Sequence, residues 1–232
     1  ELIEFAAIAT VGDVMDLQDE NRIIVKEGLK RIMRTQNPGL KALIHVTPLE
    51  DKPLTAYHIG FVIGPCMNAS GRLSTAKRAL NLLLCRDREE AAALAEDLKA
   101  LNDSRKDMTA KGVEEAVQMV ENTSLKEDRV LVVYLADCHE SLAGIIAGRI
   151  RERYSKPVFV LTRAEEGVKG SGRSIESYHM FRELTRCREL LTKFGGHPMA
   201  AGLSLPEENV DPFRRMLNEN CTLTEEDMAE KV

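Results

Sequence analysis

The chain has 232 residues, of which 44% are hydrophobic and 30% charged, and its formal net charge is −5 at pH 7. This length and balance predict a folded protein of one or two domains, and the negative charge excludes general attraction of nucleic acid to the whole surface. No apolar run is long enough to cross a membrane, and the first residues lack the basic start of a secretory signal. We therefore expect a cytoplasmic protein without membrane contact.

The five cysteines are odd in number, widely spaced and never part of a C-x-x-C pair. Such a pattern supports neither a disulfide framework nor a zinc site. We expect reduced thiols at Cys66, Cys85, Cys138, Cys187 and Cys221.

Helical patterns dominate the first half of the chain. Apolar residues at helical spacing predict a helix over residues 20–35, and a turn at residues 37–39 leads into a short helix over residues 40–46. A glycine-punctuated stretch over residues 61–73 precedes a long run of helix-forming residues from 74 to about 122. We expect this run to be interrupted, if at all, near Asn102 or Gly112.

From residue 129 the pattern alternates between strands and helices. Apolar runs over residues 130–135 and 157–161 predict buried strands, and the helix predicted between them, over residues 141–154, makes the two strands parallel. A hairpin or edge strand is expected over residues 168–175. A helix over residues 180–194, a strand over residues 202–205 and a closing helix from 210 to about 221 complete an α/β protein with a mixed, mostly parallel central sheet.

The most informative motif is Gly195-Gly196-His197, which is followed by the small residues of positions 200–202. Two glycines let an anionic ligand such as a phosphate approach the main chain, and the small residues leave it unobstructed before a helix start. The alternative is a helix C-cap, in which Gly195 adopts a left-handed conformation and ends the preceding helix. Both interpretations can hold together.

Two further motifs present groups that suit a phosphate. Ser171 and Arg173 are two residues apart, so on an extended strand they share one face; the alternative is a hairpin with exposed polar residues. Arg72 ends a predicted loop of small residues, and a guanidinium can grip phosphate with two parallel hydrogen bonds. The alternative for this loop is that Asn68 and Ser70 merely cap the following helix.

A polyanion would need a local basic groove, because the chain as a whole is acidic. The candidates for that groove are Arg163, Lys169, Arg173, Arg182, Arg186, Arg188 and Lys193. Ordinary solvated helix charge is the alternative, and it is at least as good an interpretation for Arg186 and Arg188. His139 is interpreted as a helix-start or core-polar residue rather than as a catalyst.

Five blocks of sequence together resemble a known family. They comprise residues 10–17, 20–22, 63–73, 139–149, and 170–174 with 195–197. On these blocks the chain resembles the C-terminal part of the RecJ-type single-strand-specific 5′-exonucleases of the DHH phosphoesterase superfamily. The Asn-Ala-x-Gly-Arg block around Arg72 is the more RecJ-specific signal, whereas Gly-Gly-His marks the DHH-associated domain generally.

The resemblance implies a domain organisation and an activity. Residues 1–73 would be the C-terminal part of a DHH domain, residues 74–122 a helical connector, and residues 123–232 a DHH-associated substrate-binding domain. The parent protein would hydrolyse phosphodiester bonds of single-stranded DNA from the 5′ end, in DNA repair and recombination. The nearest alternatives are a fragment of a DHH-family oligoribonuclease or cyclic-dinucleotide phosphodiesterase, and a nucleic-acid-binding module without activity of its own.

The resemblance also implies roles for single residues. His197 would contact the scissile phosphate, and Asp13 would bind a metal ion. The terminal 5′-phosphate would be held by Arg72, Ser171 and Arg173, in a set completed by Asn68, Ser174, Gly195 and Gly196. Without the resemblance, Asp13 would be interpreted as a helix-cap or turn residue.

Two manganese or magnesium ions are the implied cofactors. Two-metal hydrolysis needs a cluster of hard ligands, which Asp13 alone does not provide. We therefore expect the other ligands upstream of the first residue, and an inactive chain in isolation. The expected partners are single-stranded DNA with a 5′-phosphate and the upstream DHH domain.

Overall fold

The computed structural model describes residues 2–50 and 52–228. The chain divides into two compact units, Glu1–Lys106 and Asp107–Val232. The first unit is helical, whereas the second is built on a five-stranded sheet. No helix in the described ranges is long and apolar enough to span a membrane.

Helices α1 to α6 and the first part of α7 form the first unit. Their bounds are α1 (Ile3–Gly12), α2 (Asp19–Ile32), α3 (Pro38–Val46), α4 (Ala56–His58), α5 (Gly64–Leu73), α6 (Lys77–Leu84) and α7 (Arg88–Asn122). A π-helical stretch, Ile59–Ile63, joins α4 to α5. The helices enclose an apolar core that includes Ile32, Leu43 and Ile63.

Close packing and a side-chain cap explain two of these helices. A Cβ at Gly28 of α2 would lie 2.2 Å from the Cβ of Ala7, so the glycine allows α1 and α2 to pack closely. At the start of α3, Asn37 Oδ1 accepts a hydrogen bond from the backbone N–H of Leu40 at 2.8 Å. This cap satisfies one of the unpaired N–H groups at the helix start.

Five strands form the sheet of the second unit, together with three helices. The strands are β1 (Leu131–Tyr134), β2 (Val158–Arg163), β3 (Val168–Arg173), β4 (Lys193–Gly196) and β5 (Ala200–Leu205). The helices are α8 (Ala143–Tyr154), α9 (Met180–Arg186) and α10 (Val210–Glu219). The strand order is β1-β2-β3-β5-β4, with β1 and β2 parallel and the other three pairs antiparallel.

The mixed sheet and the parallel β1–β2 pair confirm the sequence analysis, but the expectation of a mostly parallel sheet is wrong. Among strands that are neighbours in the sheet, only β1 and β2 are joined through a helix, whereas the helix between β3 and β4 joins strands that β5 separates. The link between β2 and β3 is a short hairpin, and hairpins join antiparallel strands. Strand β3 is also an interior strand rather than an edge strand, because it pairs with both β2 and β5.

Both faces of the sheet carry an apolar core. On one face, Val133 and Val160 pack with Ile146 and Ile150 of α8 and with Val120 of α7. On the other face, the core is formed by residues of the sheet and of α9 and α10, including Phe159, Leu161, Leu184, Leu203 and Phe213. The rings of Phe159 and Phe213 meet edge to face with 5.4 Å between centroids.

Three predicted boundaries are wrong. The helix expected over residues 180–194 ends at Arg186, and Gly195 lies in strand β4 rather than at a helix C-cap. Strand β5 confirms the strand expected over residues 202–205 but begins at Ala200, so the small residues of positions 200–202 do not start a helix. The helical run over residues 74–122 is interrupted between Leu84 and Arg88, and not near Asn102 or Gly112.

Candidate functional site

Three neighbouring strands bring the polar residue Ser171 beside two glycines. In the register of the sheet, Ser171 of β3 lies opposite Gly202 of β5, and Gly202 lies opposite Gly195 of β4. Side chains in one row across a sheet point to the same face. The Ser171 hydroxyl therefore stands next to two positions without side chains, on a face where both glycines are exposed.

The rows on either side carry positive charge. Arg173 lies opposite Ala200 in one neighbouring row, and the other neighbouring row is Lys169–Ser204–Lys193. The predicted shared face of Ser171 and Arg173 is confirmed, because they alternate with Gly172 along β3. One face of the sheet thus presents the Ser171 hydroxyl between two rows that carry cationic side chains. The positions next to this hydroxyl in its own row are glycines.

This face forms the floor of an open cleft of about 390 Å³. Its lining includes Ser141, Lys169, Ser171, Lys193 and Gly202. A larger cleft of about 1080 Å³ adjoins it and shares Lys169, Lys193, Ser204 and Glu140. Hydroxyls and ammonium groups above a glycine floor suit an anionic ligand better than an apolar one.

The Arg173 guanidinium lies at the first turn of α8. Its Nη1 donates a hydrogen bond to the carbonyl oxygen of Gly172 at 2.8 Å. A Cβ at Gly144 would lie 2.8 Å from Nη2 of Arg173, so the glycine leaves the space that the guanidinium occupies. The positive end of a helix and a guanidinium lie side by side here, and this combination favours an anion nearby.

The glycines near this cleft are required for different reasons. Gly196 has φ +156°, and a Cβ there would lie 2.4 Å from the carbonyl oxygen of Ala200, so the backbone of the β4–β5 hairpin needs glycine. A Cβ at Gly195 would meet nothing within 4 Å, and one at Gly202 would meet only a carbonyl oxygen at 3.9 Å. Protein packing therefore explains Gly196 but not Gly195 or Gly202.

His197 follows β4 directly and lies in the turn that leads to β5. Its backbone N–H donates to the carbonyl oxygen of Ala200 at 2.8 Å, which closes the hairpin. The residue is exposed, and so are Gly195 and Gly196 before it. The motif is thus an exposed hairpin end, in which His197 follows two residues after Gly195 of the Ser171–Gly202–Gly195 row.

Two other polar candidates have structural surroundings. Ser174 is 1% exposed, and its hydroxyl donates a hydrogen bond to the carbonyl oxygen of Tyr178 at 2.5 Å, so it lies outside the cleft. This position argues against the phosphate contact predicted for Ser174. His139 Nδ1 accepts from the backbone N–H of Ser141 at 3.3 Å at the start of a 3-10 turn, as its interpretation as a helix-start residue requires.

The candidates for a basic groove have different surroundings in the structure. Arg163, Lys169 and Lys193 line the two clefts. Arg182 and Arg186 instead form ion pairs with the buried carboxylate of Glu183, at 3.1 and 2.9 Å. The interpretation of Arg186 as helix charge is therefore confirmed.

The remaining predicted residues lie in the first unit. Asn68 and Arg72 belong to helix α5 rather than to a loop, and they are exposed and one helical turn apart. Four residues apart on a helix, the two side chains share a face. Asp13 is exposed and follows the last residue of α1, where its backbone N–H donates to the carbonyl oxygen of Ala9 at 2.9 Å.

Arg105 of α7 is a neighbour of Arg72 that sequence reasoning missed. Burial, and then the charge of Arg72, lower the pKa of the Arg105 guanidinium. Its Nε and Nη2 donate to Asn102 Oδ1 at 3.1 and 3.0 Å, and Asn102 Nδ2 donates to Cys66 Sγ at 3.5 Å. No local pattern in the sequence connects residues 72 and 105, so only the fold reveals this pair.

The described residues do not form a metal centre by themselves. In the ranges 2–50 and 52–228, no three His, Cys, Asp or Glu side chains come together in a way that could hold a metal ion. Asp13 is a single exposed carboxylate, which falls short of the ligand cluster that a hard divalent cation needs.

Comparison with known proteins assigns the second unit to a class. Residues 127–222 match the DHHA1 domain family. This range contains the whole five-stranded sheet and the cleft above β3, β5 and β4.

Over nearly its whole length, the chain is similar in sequence to RecJ, which is a member of the DHH superfamily. It is 42% identical over 231 residues to the single-stranded-DNA-specific exonuclease RecJ of Bacillus subtilis (strain 168), and the match covers 98% of this chain and 29% of that protein. The resemblance inferred from the motifs is confirmed.

Solved structures give the same result. RecJ from Thermus thermophilus in complex with Mg²⁺ matches with a TM-score of 0.84 at 32% identity, over 94% of this chain and 33% of that one. Its complex with Mn²⁺ matches with a TM-score of 0.83. The chain spans about three tenths to a third of the length of these relatives.

Proposed function

We propose that this chain is the substrate-binding portion of a metal-dependent exonuclease that degrades single-stranded DNA from the 5′ end. Relatedness to RecJ over 98% of the chain supports the activity. The observation that carries the binding role is the Ser171–Gly202–Gly195 row, in which a hydroxyl stands beside two glycines that packing does not require. Such a floor admits a phosphate close to the main chain.

Within this function, Ser171 and Arg173 hold the terminal 5′-phosphate. Their shared strand face and the position of the guanidinium over Gly144 support this role. Arg72, with Asn68 on the same face of α5, contributes a further guanidinium to phosphate binding. Gly195 and Gly196 leave room for the DNA strand to approach the protein backbone.

His197 is the catalytic residue of this proposal. An imidazole at an exposed hairpin end can reach a phosphate lying over the glycine floor and stabilise charge as the scissile bond breaks. Ser174 has no direct role, because its hydroxyl is buried and bonded to Tyr178.

Divalent cations complete the proposed enzyme. RecJ has been solved with Mg²⁺ and with Mn²⁺, and Asp13 is the residue of this chain that we propose as one ligand. The other ligands come from the DHH domain, which is the proposed protein partner. Exposed apolar side chains on the first unit support a protein partner there: Val14, Met15, Tyr57 and Phe61.

Reconstitution tests the proposed function. The chain is mixed with the separately produced DHH domain of its parent protein in Mn²⁺ or Mg²⁺, and release of nucleotides from 5′-phosphorylated single-stranded DNA is followed. We expect activity only from the mixture, with His197→Ala abolishing it. Binding of DNA without any activity in the mixture would support the alternative of a binding module, and cleavage restricted to dinucleotides or cyclic dinucleotides would support a DHH-family small-nucleotide phosphodiesterase.

A further inference from the structure

We infer that Lys169, Ser204 and Lys193 form a second phosphate subsite, which holds an internal phosphodiester group of the strand whose 5′-phosphate lies at Ser171 and Arg173. We also infer that Glu140 weakens this subsite by competing for Lys169. The inference rests on the proposed function and extends it, because it assigns a binding site to the next part of the substrate.

The sheet register places the three residues in a single row. Ser204 of β5 pairs with Lys169 of β3 on one side and with Lys193 of β4 on the other. Neighbouring strands are about 4.8 Å apart, so the two lysine backbones are about 10 Å apart, with the serine between them. Long side chains on the same face can both reach an anion above Ser204, and all three residues line the 390 Å³ cleft.

The position of this row fits a chain of phosphates. Along a strand, residues two positions apart on the same face are separated by about 6.7 Å. That is the offset between the Lys169–Ser204–Lys193 row and the Ser171–Gly202–Gly195 row. Successive phosphates of an extended nucleic acid strand have a comparable separation, so a strand whose scissile phosphate lies over the glycines of the first row can place its next phosphate over the second row.

The charges of the cleft favour an anion there. Its charged lining residues are Lys169, Lys193 and Glu140, which makes two cations and one anion. The Lys169 ammonium donates to Glu140 Oε2 at 2.8 Å, and this hydrogen bond raises the pKa of Lys169. A bound phosphate would have to share Lys169 with the carboxylate, which is why Glu140 should lower affinity.

Acidic residues bound the subsite on its far side. The adjoining larger cleft carries Glu165, Glu166, Glu207 and Glu208, which disfavour a polyanion. We therefore expect one additional phosphate in this direction along the sheet face and not an extended groove.

The test compares ligands that carry one phosphate with ligands that carry several. Binding of a 5′-mononucleotide and of a short 5′-phosphorylated single strand is measured over a range of salt concentrations, for the wild-type chain and for Lys193→Gln, Lys169→Gln and Glu140→Gln. The matched control is Lys126→Gln, because Lys126 is an exposed lysine of the same unit that pairs with Glu121 at 2.7 Å and lines neither cleft. Circular dichroism verifies that each variant is folded.

Lys193→Gln should weaken binding of the oligonucleotide roughly threefold to tenfold at low salt and reduce the slope of log K against log salt by about 0.7, which corresponds to one phosphate contact. Binding of the mononucleotide should be unchanged. Lys169→Gln should behave in the same way, whereas Glu140→Gln should strengthen binding of the oligonucleotide.

The inference is overturned if Lys193→Gln and Lys126→Gln bind the oligonucleotide with the same affinity. It is also overturned if Lys193→Gln weakens binding of the mononucleotide as much as binding of the oligonucleotide. In either case a wild-type preference for the 5′-phosphorylated strand would leave the proposed function intact. If the wild-type chain binds no single strand, the subsite and the binding role of this chain in the proposed function fail together.

Discussion

Gly195 of β4 and Gly202 of β5 are register partners, and a Cβ would meet nothing within 4 Å at Gly195 and only a carbonyl oxygen, at 3.9 Å, at Gly202. Gly196, the next residue along β4, differs, because its φ of +156° and the nearby Ala200 carbonyl exclude a side chain. The backbone therefore requires glycine at position 196 but not at position 195, where we propose that a ligand uses the open space.

This difference predicts that alanine substitution affects ligand binding at Gly195 and Gly202 but the stability of the fold at Gly196. Gly195→Ala and Gly202→Ala should leave the free energy of unfolding within about 1 kcal/mol of wild type, because alanine is no worse than glycine in a strand. Each should weaken binding of a 5′-phosphorylated oligonucleotide roughly tenfold, about 1.4 kcal/mol, by adding a methyl group to the sheet face in the row of Ser171. Gly196→Ala should instead lower stability by about 1–3 kcal/mol. Urea denaturation and equilibrium binding measure both effects; a Gly195→Ala variant that binds normally would contradict the account.

Helix α8 contains a matched pair of glycines that tests the position of Arg173. Gly144→Ala places a Cβ 2.8 Å from Arg173 Nη2, whereas Gly148→Ala meets nothing within 4 Å. Both substitutions should gain up to about 1 kcal/mol from helix propensity, less the cost of moving a flexible side chain at position 144. Only Gly144→Ala should weaken binding of the 5′-phosphate. Equal binding by the two variants would show that the guanidinium position is unimportant.

Asn218 of α10 joins that helix to the start of β1. Its Oδ1 accepts from the backbone N–H groups of Arg129 and Val130 at 2.9 and 3.0 Å, and its Nδ2 donates to the carbonyl oxygen of Val130 at 3.0 Å. Asn218→Ala should destabilise the chain by about 2 kcal/mol, because it leaves these backbone groups unpaired. Asn220→Ala, at an exposed position just after the helix, should stay within about 0.5 kcal/mol. Chemical denaturation of both variants tests this, and equal stabilities would contradict it.

The cysteines should differ in reactivity in the folded chain. Burial raises the pKa of Cys187 to about 11, which keeps its thiol protonated at pH 8. Burial also raises the pKa of Cys138, but this side chain is half-buried and not enclosed. Timed alkylation at pH 8 followed by mass spectrometry should modify Cys138 first and Cys187 only when the protein unfolds. Rapid modification of Cys187 in the native protein would show that its surroundings are open.

Local sequence patterns predicted the parts of the fold that local interactions determine. The apolar runs that became β1 and β2, the helix between them and the shared face of Ser171 and Arg173 were all predictable. The break before α7 could also have been found, because Asp87 Oδ1 accepts from the backbone N–H of Glu90, a standard signal for a helix start.

Non-local contacts decided the elements that prediction missed. Glycine has low strand propensity, so Gly195 and Gly196 do not indicate a strand; they form β4 because β5 pairs with it. Asn68, Ser70 and Gly71 are poor helix formers, yet α5 continues through them because Ala69 and Ser70 are buried. The same reason applies to the site, since the Lys169–Ser204–Lys193 row exists only when three strands are paired.

Equilibrium binding to two single-stranded oligonucleotides that differ only in a 5′-phosphate tests the central claim most directly. It is measured by fluorescence anisotropy at one fixed low salt concentration, for the wild-type chain, Arg173→Ala and the control Arg149→Ala, which removes an exposed arginine of α8. The account predicts at least roughly tenfold tighter binding of the phosphorylated strand, a preference lost in Arg173→Ala and kept in Arg149→Ala. Equal affinity of the wild-type chain for the two strands, or a preference that survives Arg173→Ala, would contradict it.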